Sequence, residues 1–255
     1  MSRQISRILV SQPKPQNPKS PYFQIMDERG IVIDFKQFFT IQPVSTRFFR
    51  DQKIDILEHS AVVLTSRTMA DHFFAILKDL RIELPDDFKY FCSSEIVSLY
   101  LQKFITVRKR KIFYPEKSSN TPDLASLIKK HHKEFYFVPS TEGYRDDLCQ
   151  EMDEKSIAYT QGVISKVVDT EFAEGEIESY DILLFFSPNG VNSLMKNRPN
   201  YEQGDQIIGC LGEGTLRQIT DVGLRADIAV PNKDFQSITE ALSHYLDTIE
   251  VKQNA

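Results

Sequence analysis

The feature that most limits what this chain can become is its alternation of short apolar runs with amphipathic stretches. Ala61-Val62-Val63-Leu64 passes through Thr65-Ser66 into Arg67 to Lys78. Tyr90-Phe91-Cys92 passes through Ser93-Ser94 into Glu95 to Lys103. Lys111-Ile112-Phe113-Tyr114 stops at Pro115, with a helix expected over Asp123 to Lys130. Phe135-Tyr136-Phe137-Val138 precedes a helix over Asp146 to Glu154. Later, Ile182 to Phe186 feeds Val191 to Lys196, Ile207 to Cys210 feeds Thr215 to Val222, and Asp227 to Val230 precedes Ser237 to Leu246. Near the start, Ile8-Leu9-Val10 leads through proline-rich coil to a helix over Pro21 to Arg29. Gly30 follows it, where a C-capping glycine belongs. Strands alternating with single helices imply βαβ units, because a parallel return needs a crossover. The expected class is therefore α/β, with parallel sheets flanked by helices on both faces.

The same spacing contains a repeat. Ser66 and Ser187 both close a strand at a helix start, 121 residues apart. The next strand–turn pair, Cys92-Ser93-Ser94 and Leu211-Gly212-Glu213, is offset by 119, and the strands ending at Pro115 and Pro231 by 116. Met26-Asp27-Glu28-Arg29-Gly30-Ile31 matches Met152-Asp153-Glu154-Lys155-Ser156-Ile157 at an offset of 126. In the middle of the chain that last unit comes at the end of the set, but in the remaining material it comes first. One lobe is therefore expected to be continuous, residues 42–165, and the other discontinuous, residues 1–36 plus 171–255. The crossings should be Ile31 to Val44 and Ile157 to Thr170, which are rich in β-branched and aromatic residues. Running in opposite directions, they can pair as a two-stranded antiparallel ladder. A cleft between such lobes is a common place for a ligand.

Composition then removes whole classes of function. With 31 Lys+Arg against 36 Asp+Glu, the 255-residue chain carries a net charge of −5. No general nucleic-acid partner is expected from that balance. The one basic run, Arg108-Lys109-Arg110-Lys111, reads as a solvated rim between helix and strand. No apolar run approaches the length of a membrane span, and Met1 to Ile5 lead straight into a strand without a signal-peptide core. A cytoplasmic monomer with no membrane partner is the expectation. Three widely spaced cysteines, Cys92, Cys149 and Cys210, rule out a disulfide framework and read as small core hydrophobes at strand ends.

Ligands of open parallel sheets bind beyond the carboxyl ends of the strands, where helix N-termini present unpaired N–H groups. The turns there are Thr65-Ser66-Arg67, Ser93-Ser94-Glu95, Ser140-Thr141-Glu142, Ser187-Pro188-Asn189-Gly190 and Gly212-Glu213-Gly214-Thr215. Hydroxyl-rich turns of this kind have two readings: capture of an anion by N–H and hydroxyl groups, or ordinary N-capping. The second suffices for any one turn; several together make the first competitive. Sharper motifs fail. Gly209 to Gly214 has P-loop spacing, but Thr215 stands where the lysine is required. Gly212 and Gly214 lack the third glycine of a dinucleotide fingerprint, since Arg217 occupies its place. Phe185 to Asn189 lacks the glycines of a nucleophile elbow. Adjacent His131 and His132 cannot share a helix face as metal ligands do, and a solvated helix end is expected for them. No metal site and no cofactor are expected.

Ala61 to Arg67 taken with Phe185 to Val191 resembles uroporphyrinogen-III synthase, as do Ile208 to Thr215 and the following Asp221-Val222-Gly223-Leu224-Arg225-Ala226-Asp227. The resemblance covers nearly the whole chain, and the late glycine–threonine turn is its most specific part. It implies two similar lobes of the flavodoxin-like, synthase type joined by a two-stranded antiparallel ladder. It also implies a cofactor-free lyase that cyclises hydroxymethylbilane to uroporphyrinogen III, with loss of water and inversion of ring D. The unaided reaction gives the uninverted isomer, so the enzyme must hold a folded conformer leading to a spiro intermediate, which is catalysis by orientation. Thr65, Ser66, Arg67, Ser93, Ser94, Ser187, Pro188, Asn189, Gly190 and Gly212 fall where the family contacts its substrate, and Thr215 where it acts. The family has glycine at the turn occupied by Ser93 and threonine near Ile96. It also carries a tyrosine on the second crossing, where Val163-Ile164-Ser165-Lys166-Val167 offers Ser165. Tyr159, Thr215 or Ser165 itself would then help the hydroxyl depart, with slow turnover as the alternative. A non-catalytic two-lobed binder of tetrapyrroles or other polyanions is the competing function.

Overall fold

The structure is a computed structural model that describes residues 5–106, 109–116, 120–143 and 147–253. Arg108 of the basic run and Asp146 of the helix expected over Asp146 to Glu154 lie outside the described residues. In chain order the elements begin with β1 (Arg7–Val10), α1 (Pro21–Arg29), β2 (Val32–Phe35), β3 (Phe39–Pro43) and α2 (Thr46–Asp51). Next come β4 (Ala61–Leu64), α3 (Arg67–Leu80), β5 (Lys89–Cys92), α4 (Glu95–Tyr100), β6 (Ile112–Phe113) and α5 (Thr121–Lys130). The middle closes with β7 (Tyr136–Thr141), α6 (Asp147–Glu154) and β8 (Tyr159–Asp169). The remainder is β9 (Ile182–Phe185), α7 (Pro188–Asn197), β10 (Ile207–Leu211), α8 (Glu213–Asp221), β11 (Ile228–Val230) and α9 (Ile238–Gln253).

These elements form two compact units, unit 1 of residues 1–40 with 169–255 and unit 2 of residues 41–168. Unit 1 is built on a five-stranded sheet of order β11-β10-β9-β1-β2, parallel at every pairing. Residues near the N-terminus thus share a sheet with the last third of the chain: Ile8 lies opposite Ile182 and Val10 opposite Leu184. Its two faces are covered by separate apolar clusters, one centred on Ile8, Val10, Leu184 and Leu242, the other on Leu9, Leu183, Phe185 and Ile208. Alternate residues of one strand enter opposite clusters, as the two-residue period of a strand requires.

Unit 2 has the sheet β3-β8-β7-β4-β5-β6. Its clusters divide in the same way, Val62, Leu64, Phe73 and Phe137 on one face and Ala61, Val63, Tyr136 and Val138 on the other. Taken from the edge, β6-β5-β4-β7-β8 matches β11-β10-β9-β1-β2 strand for strand, so the repeat read in the sequence is a repeat of topology. Strand order reverses between β4 and β7 in one unit and between β9 and β1 in the other. At such reversals the two flanking helices diverge and leave room above the strand ends.

Several details differ from the sequence reading. The antiparallel ladder is not free-standing. β3 runs against β8, with the Val44 N–H on the Ile164 carbonyl at 3.0 Å and the Thr170 N–H on the Phe38 carbonyl at 2.8 Å, and β8 is itself paired in parallel with β7. The first crossing is shortened because Val32 to Phe35 are already a strand of unit 1. Helix α2 was not expected; Ser45 caps it, accepting from the Phe48 N–H at 3.2 Å. Helix α4 stops at Tyr100, and Leu101 to Lys103 continue as a tighter turn. Cys149 is on helix α6, not at a strand end, while Cys92 and Cys210 are buried strand residues. Burial pushes the Cys92 thiol up to about 12 and that of Cys210 to about 11, which makes both inert. His131 is half-buried rather than solvated, its ring centroid 4.4 Å from that of Phe113 and 5.2 Å from that of Phe91.

Candidate functional site

Each unit presents its hydroxyl-rich turns at the carboxyl edge of its sheet. In unit 2, Thr65 and Ser66 follow β4. Ser66 lies in extended backbone (φ −153°) and its Oγ accepts from the Met69 N–H at 3.1 Å, a standard N-cap. Ser94 caps α4 in the same way, on the Val97 N–H at 3.4 Å. Ser93 donates to the Thr65 carbonyl at 2.8 Å and so ties the two turns together. Arg67 is exposed, with its guanidinium 5.9 Å from the centre of the Tyr100 ring.

In unit 1 the equivalent turns are built differently. Ser187 has the same extended backbone (φ −158°), but its side chain does not cap α7. Pro188 fills the first helical position, where its fixed φ suits the helix and its missing N–H is no loss. Gly190, two residues on, is buried; a Cβ there would lie 3.1 Å from Phe185 Cδ1 and 3.6 Å from Ser11 Oγ. This close approach sets Ser11, at the end of β1, beside the start of α7. Gly212 precedes α8 at φ 92°, ψ 144°, a region that essentially only glycine occupies. Its N–H donates to the Val230 carbonyl at 2.7 Å, and with no side chain it leaves the start of α8 uncapped. A Cβ on Gly214 would sit 3.7 Å from Pro188 Cγ, so the N-termini of α7 and α8 are neighbours. Thr215, in the first turn of α8, is 2% exposed.

The other two residues considered for catalysis are elsewhere. Tyr159 opens β8 opposite Tyr136, the first residue of β7, and therefore lies at the amino edge of the sheet. Its hydroxyl donates to Asp153 Oδ1 at 2.9 Å. Burial, with the Asp153 carboxylate adding to it, keeps the phenol well above its ordinary pKa. Ser165 is at the carboxyl half of β8 but faces inward, fully buried, with His72 Nδ1 2.7 Å from its Oγ. The structure thus gathers Ser187, Pro188, Asn189, Gly190, Gly212 and Thr215 on one unit and Thr65, Ser66, Arg67, Ser93 and Ser94 on the other, and leaves Tyr159 out. Ser11 and His72 were not singled out in the sequence. Both lie far along the chain from their partners (His72 and Ser165 are 93 residues apart), and no local pattern marks such a pair.

A cavity of about 460 Å³ in unit 2 is lined by Leu77, Ile82, Phe88, Tyr90 and Ile112, at the amino end of β5 and away from these turns. Among the described residues no cluster of His, Cys, Asp or Glu is placed to hold a metal ion, and no helix is long and apolar enough to cross a membrane.

The model of the family uroporphyrinogen-III synthase HemD matches residues 40–240. The chain belongs to the uroporphyrinogen-III synthase family. Its role is accordingly that of the cyclising lyase of tetrapyrrole biosynthesis. Among solved structures it is similar to the uroporphyrinogen-III synthetase of Helicobacter pylori, at 12% identity and a TM-score of 0.60 over 96% of this chain and 100% of that one. It is also similar to a mutant uroporphyrinogen III synthase of the extreme thermophile Thermus thermophilus, at 12% identity and a TM-score of 0.55 over 97% and 99%. At that identity the likeness concerns the fold, and it extends over the whole synthase architecture. A sequence comparison with curated proteins gives no match.

Proposed function

We propose that this synthase folds hydroxymethylbilane by seating carboxylates on the paired N-termini of α7 and α8 in unit 1; taken by itself, unit 2 offers the Thr65–Arg67 and Ser93-Ser94 turns as substrate contacts. The reaction asks for geometry more than for a strong acid. The hydroxyl leaves as water, expelled by the pyrrole that bears it, and the substituted carbon of ring D must then be the one within bonding reach. Fixing several carboxylates at once restricts the flexible chain to that conformer, and such orientation can supply a large part of a barrier. N–H groups at a helix start attract an anion by about 0.3–1 kcal/mol each near a surface, without importing cations into a protein of net charge −5. Arg67 adds one exposed cation.

The observation that carries this reading is the absence of side-chain caps on α7 and α8, beside a Ser187 hydroxyl that its own helix does not use. Thr215 is the hydroxyl we assign to the reacting region, since Tyr159 lies at the opposite sheet edge and Ser165 inside unit 2. The protein is read as a cytoplasmic monomer that needs neither nucleic acid nor membrane. The test is a product assay. Supplied with enzymatically generated hydroxymethylbilane, the protein yields mostly isomer III by chromatography. A mixture equal to that of the enzyme-free control removes the reading.

A further inference from the structure

Ser165 and His72 form a buried polar pair within an otherwise apolar face. Val62, Leu64, Phe73, Ile76, Phe137 and Ile164 pack on that face. His72 is 8% exposed and Ser165 0%. Besides meeting His72 Nδ1 at 2.7 Å, Ser165 donates to the Met69 sulfur at 3.9 Å. Every proton is used when His72 is neutral, donates through Nδ1 and leaves the serine proton for the thioether. The Met69 N–H in turn donates to Ser66 Oγ. Ser165 on β8 thus meets α3 at two points, His72 and Met69, and the Met69 backbone leads on to the cap of α3, next to Thr65 and Arg67.

The strand is irregular at this point. Opposite β7, Ser140 faces Val163 and Thr141 faces Ser165, so Ile164 is an extra residue and the strand is bulged. A bulge re-aims a strand and interrupts its pairing. Ser165 is tied by its carbonyl to the Glu142 N–H at 2.8 Å, but only the His72 contact joins its side chain to a helix by a short hydrogen bond. Apolar packing alone could fill the space, whereas a buried hydrogen-bonded pair fixes one register.

We infer that His72 is a positioning residue of the synthase reaction, acting through Ser165 to hold the bulged crossing strand and the α3 entrance turn as one piece. This rests on the reading that the Thr65–Arg67 turn meets substrate.

The test compares His72→Leu, His72→Asn, His72→Gln and Ser165→Ala, each with its melting temperature and its constants for hydroxymethylbilane. Asn places an amide where Nδ1 stands; Gln does not. Expected are a rise of about tenfold in KM for His72→Leu and His72→Gln, the ratio that one net hydrogen bond corresponds to. A larger share of isomer I should accompany it. His72→Asn should return to within about twofold of the parent, and Ser165→Ala on top of His72→Leu should add nothing, the mark of a shared interaction. If His72→Leu does not fold, the contrast of Asn with Gln still decides. Equal constants for Asn and Gln, or a folded His72→Leu with parental KM and isomer ratio, overturn the proposal. Arg67→Ala run alongside separates the two levels: if it too is without effect, the substrate reading of the turn fails, and if it raises KM while the His72 variants do not, only the positioning role falls.

Discussion

The β4–α3 turn of unit 2 and the β9–α7 turn of unit 1 hold equivalent places in the repeat, with a serine at each helix start in nearly the same backbone conformation, φ −153° and −158°. Ser66 uses its hydroxyl on the third amide of its helix. Ser187 does not; the Gly190 N–H goes to the Ser187 carbonyl at 3.1 Å, and Pro188 has no N–H to give. The next pair of turns repeats the contrast: Ser94 caps α4, whereas Gly212 cannot cap α8. One sequence pattern, a hydroxyl at a strand end, thus serves helix stability in one half and leaves polar groups available in the other. Fold symmetry does not carry symmetry of capping with it.

The sharpest way to break this contrast is at Gly212. A Cβ there meets no atom within 4 Å, so the cost of adding one comes from the backbone. Holding a β-branched residue at φ 92° costs about 1–3 kcal/mol. If the chain instead relaxes, the start of α8 moves. For Gly212→Val the expectation is a loss of at least about 100-fold in isomer III formation, the size that an ångström of misplacement produces, with a lowered melting temperature. Ser93→Gly, at the matching turn of unit 2, should change the rate by less than a few-fold. Similar losses at both turns would mean that the two halves do the same work.

Next in size is the serine pair. Ser66→Ala removes a cap and should lower stability by about 1 kcal/mol, visible as a melting shift of a few degrees, with KM rising less than in Ser187→Ala because the backbone contacts of the turn remain. Ser187→Ala removes no cap, so stability should stay within about 0.5 kcal/mol while KM rises several-fold. The reverse pattern would show that Ser187 supports the helix after all.

An acid titration sharpens the contrast on the side of unit 2. Burial holds the His72 pKa below its ordinary 6.5, with Asp71 pulling the other way. The unfolded chain therefore takes up the proton first. The contribution of a neutral His72 is complete above pH 6.5 and is lost as pH falls toward the lowered folded-state value. Melting temperature should decline through that window in the parent and flatten in His72→Asn, whereas Ser187→Ala should follow the parent curve. Carboxylates held low by their cations, such as Glu134 beside Lys89, act only at more acid pH and in both proteins alike.

Much of the architecture was legible because it is periodic. Helix α1 runs from Pro21 to Arg29 with Gly30 at φ 64°, as the proline and glycine at its ends imply, and the 126-residue match of Met26 to Met152 falls on helices α1 and α6, equivalent in the two sheets. What escaped was either short or long-range. Helix α2 is six residues with apolar Phe48 and Phe49 side by side, too brief to show a period. The Ser187 and Ser66 turns share a serine at the helix start, and Pro188, though visible in the sequence, does not by itself say where the Gly190 N–H goes. His72 reads as an ordinary member of an amphipathic helix until β8 is laid against it.

The smallest expected effect concerns Thr215. The residue is almost wholly buried, and valine fills nearly the same volume, so Thr215→Val removes a hydroxyl and little else. If the reaction proceeds by orientation, the loss should stay below about tenfold, the scale of one hydrogen bond. Tyr159→Phe should leave turnover unchanged, since that phenol is bonded to Asp153 at the amino edge of the sheet. A positioned general acid is worth about 10²–10⁴-fold. A loss of that size at Thr215, in a protein that still melts normally, would therefore move proton transfer to the centre of the mechanism and make unit 1 the half that performs chemistry, not merely the half that grips.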